Sequence, residues 1–183
     1  MYRTIPALTF ALFETAIGPC AIAWGPAGIV GVQLPEADAS QTLLRMQQRF
    51  SGAAHAQPPE AVQQAIDGIA AMLRGEAHDL KALVLDMSGV PTFHQRVYAV
   101  TRDISPGKTL TYGEVAARLG EPGASRAVGQ ALGRNPFAPV VPCHRVLAAG
   151  DKPGGFSASG GVRTKLRLLL IEGAMRGTPG LFD

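Results

Sequence analysis

Residues 139–146 read Pro-Val-Val-Pro-Cys-His-Arg-Val. The pattern predicts an apolar extended run, stopped by Pro142, that presents Cys143, His144 and Arg145 together. A thiol attacks as its thiolate, and its unperturbed pKa is about 8.5. A neighbouring cation or proton acceptor raises the reactive fraction, and His144 and Arg145 are residue types that can do so. A buried structural cysteine beside surface charges would read the same way, so this stretch alone leaves both open. Cys20, between Pro19 and Ala21, has no charged neighbour and reads as a core residue. Two cysteines and four histidines raise the question of zinc. There is no Cys-x-x-Cys, and Cys143 and His144 would face opposite ways on an extended chain. His55, His78 and His94 are scattered, so neither a metal nor any other cofactor is expected.

The elements that must position these groups belong to a chain of 183 residues, enough for one domain or two small ones. With 46% hydrophobic and 17% charged residues it can bury a core, which excludes general disorder. Two cysteines exclude a disulfide-stapled scaffold. No apolar run reaches the roughly 18 residues of a membrane-spanning helix. Charge is uneven. Residues 1–90 carry five Lys/Arg against eight Asp/Glu, a net of −3, and residues 91–183 carry twelve against six, a net of +6. A basic second half is the footprint of a polyanion partner, although an ordinary surface imbalance gives the same count. Arg3, the apolar stretch Ile5–Phe13 and Ala21-Ile22-Ala23 imitate a signal peptide. Only one basic residue precedes it, Pro6 and Thr9 interrupt it and Glu14 follows it, so the segment is read as mature chain in the cytoplasm.

Three strands are expected at 7–14, 20–25 and 28–34, punctuated by Gly18-Pro19 and Gly25-Pro26-Ala27-Gly28. Helices are expected at 38–50 and 60–74, with a loop at 51–59 between them and a further strand at Ala82–Leu85. Ser88-Gly89-Val90-Pro91 marks a change of texture. Beyond it, Phe93, Val97, Val100 and Ile104 recur on one helical face. Thr111 and Glu114 form a capping box for a helix with Val115, Ala116 and Leu119. After the break at Gly120–Gly123, a second helix carries Ala127, Val128, Ala131 and Leu132, with Arg126 near its start and Arg134 at its end. Helix, tight turn, helix is the form of a helix-turn-helix, and equally of an ordinary helical hairpin. The last helix, about 161–173, carries Leu166, Leu168, Leu169, Leu170 and Ile171 and is expected to be buried on nearly all sides. Glu172 at its end must then reach solvent or a buried partner. The fold class is α+β: a small N-terminal sheet-plus-helix domain, 1–88, followed by a mostly helical domain, 89–183, containing the helix-turn-helix.

Taken together, Thr111-Tyr112-Gly113-Glu114-Val115-Ala116, Ser125–Leu132, Asn135-Pro136, Pro142-Cys143-His144-Arg145-Val146, Gly154-Gly155-Phe156-Ser157 and Glu172-Gly173 resemble the signature of the O6-alkylguanine-DNA alkyltransferases. The resemblance is strong over about 90–175. Over 1–88 only the order of sheet and helices resembles the family's ribonuclease-H-like N-terminal domain. It implies direct-reversal DNA repair, with Cys143 as alkyl acceptor, His144 as base through a bound water, and Glu172 orienting His144. Asn135 would brace the turn into the active-site segment. Arg126 would fill the stack left by the flipped nucleotide, and Tyr112 would press on its phosphate and hold the base. Arg134 would join the DNA-binding set. Val146 and Cys143 would offer carbonyls to the guanine amino group, backbone around Ser157 would meet O6, and Phe156 would wall the pocket. The family often has Tyr at the Phe156 position. The implied partner is double-stranded DNA bearing O6-alkylguanine, met by a monomer.

The chemistry is consistent. An alkyl group on O6 lies inside the duplex, so the nucleotide must be flipped out. A thioether product has no ready route back, so each molecule should react once. Competing readings are a flipping module without chemistry, a transcriptional regulator and a cysteine hydrolase using His94. Cys143 argues against the first. The second helix has few base-reading side chains, which argues against the second.

Overall fold

In a computed structural model, residues 7–174 are described. β1 (Thr9–Thr15), β2 (Gly18–Gly25) and β3 (Gly28–Gln33) form an antiparallel meander within a sheet of order β3-β2-β1-β4. Side chains alternate across β2. Cys20, Ile22 and Trp24 join one apolar cluster, and Ala21 and Ala23 join another. The face with Ala21 and Ala23 receives Met46 of α1 (Ala39–Arg49), whose first turn is capped by Asp38 accepting from Gln41 N–H at 2.9 Å. Val62, Ile66, Ile69 and Met72 of α2 (Glu60–Leu73) belong to the cluster of the other face. The residues of the signal-like stretch from Leu8 to Phe13 lie in or beside β1, and Ala21-Ile22-Ala23 is fully buried in β2; Arg3 and Ile5 lie outside the described residues. Among the described residues no helix is long and apolar enough to cross a membrane.

Two short pairings differ from the sequence reading. The loop expected at 51–59 contains β4 (Ala54–His55), parallel to β1; both residues are exposed, so no alternation betrays them. The strand expected at Ala82–Leu85 is reduced to a single bridge between Leu85 and Ile29.

The second half is built on α3 (Thr92–Arg102), where Val97 is buried as its spacing predicts, together with Tyr98 and Thr101. Tyr98 donates from its hydroxyl to Ala131 O at 2.8 Å, which ties α3 to α5 (Ser125–Gly133). α4 (Tyr112–Arg118) starts with the expected capping box at Thr111 and Glu114. Arg96 of α3 fastens the turn between α4 and α5, donating to Glu121 Oε1 at 2.6 Å and to Leu119 O at 2.8 Å. β5 (Leu110–Thr111) pairs in parallel with β6 (Val146–Leu147), a contact without sequence signal. α6 (Val162–Ile171) is buried on one side only, through Lys165, Leu168 and Leu169; Arg163 and Arg167 face solvent, so the helix is not apolar all round. The boundary expected near Ser88–Pro91 falls between α2 and α3, yet one apolar cluster runs across it, from Ile22 and Ile69 to Val97 and Val128.

Candidate active site

The β5–β6 pair sets Leu110 opposite Val146 and Thr111 opposite Leu147. It therefore fixes Tyr112, the first residue of α4, beside the segment that carries Cys143. The run Pro139-Val140-Val141 is a series of turns rather than the expected extended stretch, and Cys143-His144-Arg145 is one 3-10 turn. A 3-10 turn spaces successive side chains about 120° apart, which lets Cys143 line the cleft while His144 and Arg145 turn to the Glu172 carboxylate.

Cys143 is 6% exposed and lies at the floor of a cleft of about 810 Å³. Tyr112, Arg126, Phe156 and Ser157 line the same cleft. α5 turns Arg126 and Gln130 outward while Val128, Ala131 and Leu132 are buried. Gly154, at φ 69°, leaves room for Tyr112; a Cβ there would lie 2.9 Å from the phenolic oxygen. Burial is the largest influence on the Cys143 thiol and pushes its pKa up. The Asn135 side chain, the Lys165 charge and the backbone N–H groups of Cys143 and His144 act downward. Asn135 itself donates to Val141 O at 2.8 Å and accepts from Phe137 N–H at 2.9 Å, which pins the turn leading into the active-site segment.

His144 and Arg145 converge on Glu172. His144 Nε2 lies 3.0 Å from Glu172 Oε1, and the two side chains are 0% and 3% exposed. Arg145 grips the same carboxylate, with Nη2 to Oε1 at 2.6 Å and Nε to Oε2 at 3.0 Å, and gives Nη1 to Ile104 O at 2.6 Å. Burial alone would raise Glu172, but hydrogen bonds from His144 and Arg145, and their charges, bring it down to about 2. A carboxylate so held can only accept, so Nε2 of His144 carries the hydrogen. Nδ1 is left with the lone pair, and among the described residues it has no hydrogen-bond partner although fully buried. Burial lowers the His144 pKa despite Glu172. The resting arrangement is a neutral thiol beside a neutral imidazole whose protonated form has a carboxylate waiting. That is a general-base arrangement.

Glu172 thus has the buried partner that its sequence position required. Arg145 does not serve the thiol as its type suggested; its guanidinium is engaged by Glu172 and Ile104. Val146 is buried, and its carbonyl already accepts from Lys165 Nζ at 2.6 Å. Arg134 sits at the exposed end of α5, away from Arg126, along a neighbouring groove with Arg45, Arg49 and Asn135. His94 is on α3, and no hydrogen bond joins it to Cys143 among the described residues. Sequence reasoning missed Lys165, although Lys165, Leu168, Leu169 and Glu172 share one helical face by spacing. Among the described residues no three His, Cys, Asp or Glu side chains gather as a metal site would need.

Comparison with known proteins places these features in company. Residues 92–174 match the family model described as 6-O-methylguanine DNA methyltransferase, DNA binding domain. A methylated-DNA–protein-cysteine methyltransferase of Methanothermobacter thermautotrophicus is 38% identical over 152 residues, covering 83% of this chain and 78% of that protein. One of Mycobacterium tuberculosis is 43% identical over 114 residues, covering 62% of this chain and 67% of that protein. The crystal structure of Mycobacterium tuberculosis OGT in complex with DNA superposes with a TM-score of 0.74 at 33% identity, covering 96% of this chain and 99% of that one.

Proposed function

Since this chain belongs to the methylated-DNA–protein-cysteine methyltransferases, DNA-binding enzymes of direct-reversal repair, we propose that it moves the alkyl group of O6-alkylguanine onto Cys143, once per molecule. The observation that carries this reading is the buried Glu172–His144 pair beside a cysteine on the floor of a cleft that Arg126 also lines.

Double-stranded DNA meets α5, where the exposed Ser125, Arg126 and Gln130 stand among the small residues Ala127, Gly129 and Gly133, so the helix can enter a groove closely. Arg126 takes the place of the flipped nucleotide and offsets part of the few kcal/mol of lost stacking. Tyr112 and Phe156 hold the base, with backbone near Ser157 toward O6 and the carbonyls of Cys143 and Val146 toward the amino group. Arg134, at the far end of α5, meets phosphate. Asn135 keeps the thiol in place. His144 Nδ1 draws the thiol proton through one water, and Glu172 stabilises the imidazolium. The thiolate forms a bond to the alkyl carbon as the carbon–O6 bond breaks and its electron pair stays with guanine. The base then takes up a proton, so the thiol hydrogen ends on guanine and the protein keeps a thioether. The protein meets its substrate as a monomer in this reading. A free thiol supports the reducing cytoplasm. The chain divides for these tasks at 88/89: residues 89–183 bind DNA and transfer the alkyl group, and the ribonuclease-H-like residues 1–88 brace them.

The test is a titration of protein against duplex containing O6-methylguanine. Guanine restored should equal protein added and then stop. Continued turnover, or binding without restored guanine, overturns the reading; the second result would favour a flipping module without chemistry.

A further inference from the structure

Lys165 is assigned no step in the transfer, yet it is fully buried. Its Nζ donates to Val146 O at 2.6 Å and to Gly155 O at 3.2 Å, and lies 5.7 Å from the centre of the Tyr112 ring. These three contacts belong to three separate parts of the cleft: the strand following Cys143, the segment leading to Phe156 and Ser157, and the first residue of α4. No carboxylate among the described residues lies within ion-pairing distance of it. Glu172, at the C-cap of the same helix, is already shared by His144 and Arg145. A buried ammonium held only by carbonyls and a ring face is costly unless some anion accompanies it. Burial accordingly brings Lys165 down to about 8, and the one group that acts in the other direction is Cys143.

We propose that Lys165 is the counter-charge of the Cys143 thiolate, and that the same ammonium fastens the two walls of the cleft around the reacting sulfur. The inference deepens the alkyl-transfer reading and rests on it for its meaning, although thiolate formation can be measured without any DNA. Lys165 passes no proton. It lowers the cost of separating the thiol proton from sulfur, while His144 remains the acceptor. The charged and titratable groups around the pair pull in different senses. Tyr112 and Tyr98 both feel the sulfur charge, and their phenols are pushed up, chiefly by burial. The Lys165 charge works against protonation of His144, which the Glu172 carboxylate counters while Arg145 adds to the opposition. A positive charge on the sulfur side and a negative charge on the imidazole side together favour movement of the proton from Cys143 to His144. Once the sulfur is alkylated the anion is gone, and the coupling must vanish with it.

Linkage makes the effect reciprocal. The thiolate absorbance of wild type, referenced to Cys143→Ala, gives the midpoint of Cys143 ionisation. In Lys165→Met that midpoint should rise by about 1–3 units, the usual reach of a close opposite charge; Lys165→Arg should stay near wild type. The chain has four lysines, so carbon-13 labelling at Cε gives an assignable signal. Lys165 should titrate at lower pH in Cys143→Ala than in wild type, and this arm needs no Lys165 variant to fold. An unmoved Cys143 midpoint in folded Lys165→Met, or the same Lys165 titration with and without the thiol, overturns the proposal. Loss of coupling with methyl transfer intact would sink Lys165 alone, and intact coupling without transfer to DNA substrate would sink the alkyl-transfer reading alone.

Discussion

The molecule holds two buried thiols, and only one of them lines a cleft. Cys20 sits in the middle sheet strand β2, and burial is the main reason its pKa is pushed up to about 12. The Thr15 hydroxyl, 3.8 Å from the sulfur, relieves little, and the charge of Glu14 adds to the rise. Cys143 is buried nearly as deeply, with the same dominant effect of desolvation. Its surroundings differ in kind. The backbone N–H groups of Cys143 and His144 act to lower the Cys143 pKa, and no backbone group does the same for Cys20. Asn135 and Lys165 add a donor and a charge, and the cleft gives an approach. Burial sets the resting protonation of both sulfurs; the groups that would stabilise an anion separate them.

Replacing each cysteine breaks the comparison most directly. Cys143→Ala should abolish alkyl transfer. Cys20→Ala should leave the rate within about twofold and cost on the order of 1 kcal/mol of stability from the lost core volume. Quench-flow on methylated duplex and urea unfolding check the two halves. Loss of transfer in Cys20→Ala with the fold intact would erase the distinction.

Glu172→Gln keeps the shape behind Cys143 but removes the charge that favours the imidazolium. Transfer should slow roughly 10²-fold, within the range of general-base catalysis. The same carboxylate gives a pH signature. Its folded pKa of about 2 lies below the ordinary 4.5. The stability it contributes is therefore complete above about 4.5 and is lost as pH falls through the folded value. The difference in unfolding free energy between wild type and Glu172→Gln should be constant near neutrality and shrink between pH 4.5 and 2. A difference that grows on acidification contradicts the ion pairing.

Arg126→Ala separates flipping from chemistry. Repair in duplex DNA should slow about 10- to 100-fold, the scale of lost stacking compensation, while reaction with free O6-benzylguanine stays near wild type. Equal slowing of both removes its role in the stack.

The smallest effect tests how the sheet half supports the helical half. Arg49 of α1 donates to Val32 O at 2.7 Å, to Gln33 Oε1 at 3.0 Å and to Pro136 O at 3.1 Å, and Val32 N–H meets the same Pro136 carbonyl at 2.9 Å. The strand β3 thus grips the residue next to Asn135. Arg49→Met should slow transfer a few-fold and lower stability by about 1–2 kcal/mol, the worth of partly buried bonds from a charged donor. An unchanged rate would confine residues 1–88 to folding.

Local chemistry made part of this legible. The capping box at Thr111, the face of α3 and the sulfur between Pro142 and His144 depend on neighbours within a few residues, and the sequence displays them. The pairing of Leu110 with Val146 and of Ala54 with Thr9 spans only two residues a side, too short for a period of two to register. Pro139–Val141 looked extended because β-branched residues and proline favour that form, and its turns depend on Asn135. Lys165 read as one charge in a leucine-rich helix, since its carbonyl partners come from segments 10 and 19 residues away. Arg145 read as a helper of the thiol because the partner that captures it, Glu172, lies 27 residues downstream.

Peptide mapping of the protein after reaction with duplex carrying isotopically labelled O6-methylguanine addresses the central claim. One label per molecule should appear as a thioether on the peptide containing Cys143, with the Cys20 peptide unchanged. Label on Cys20, or on neither cysteine, would contradict it.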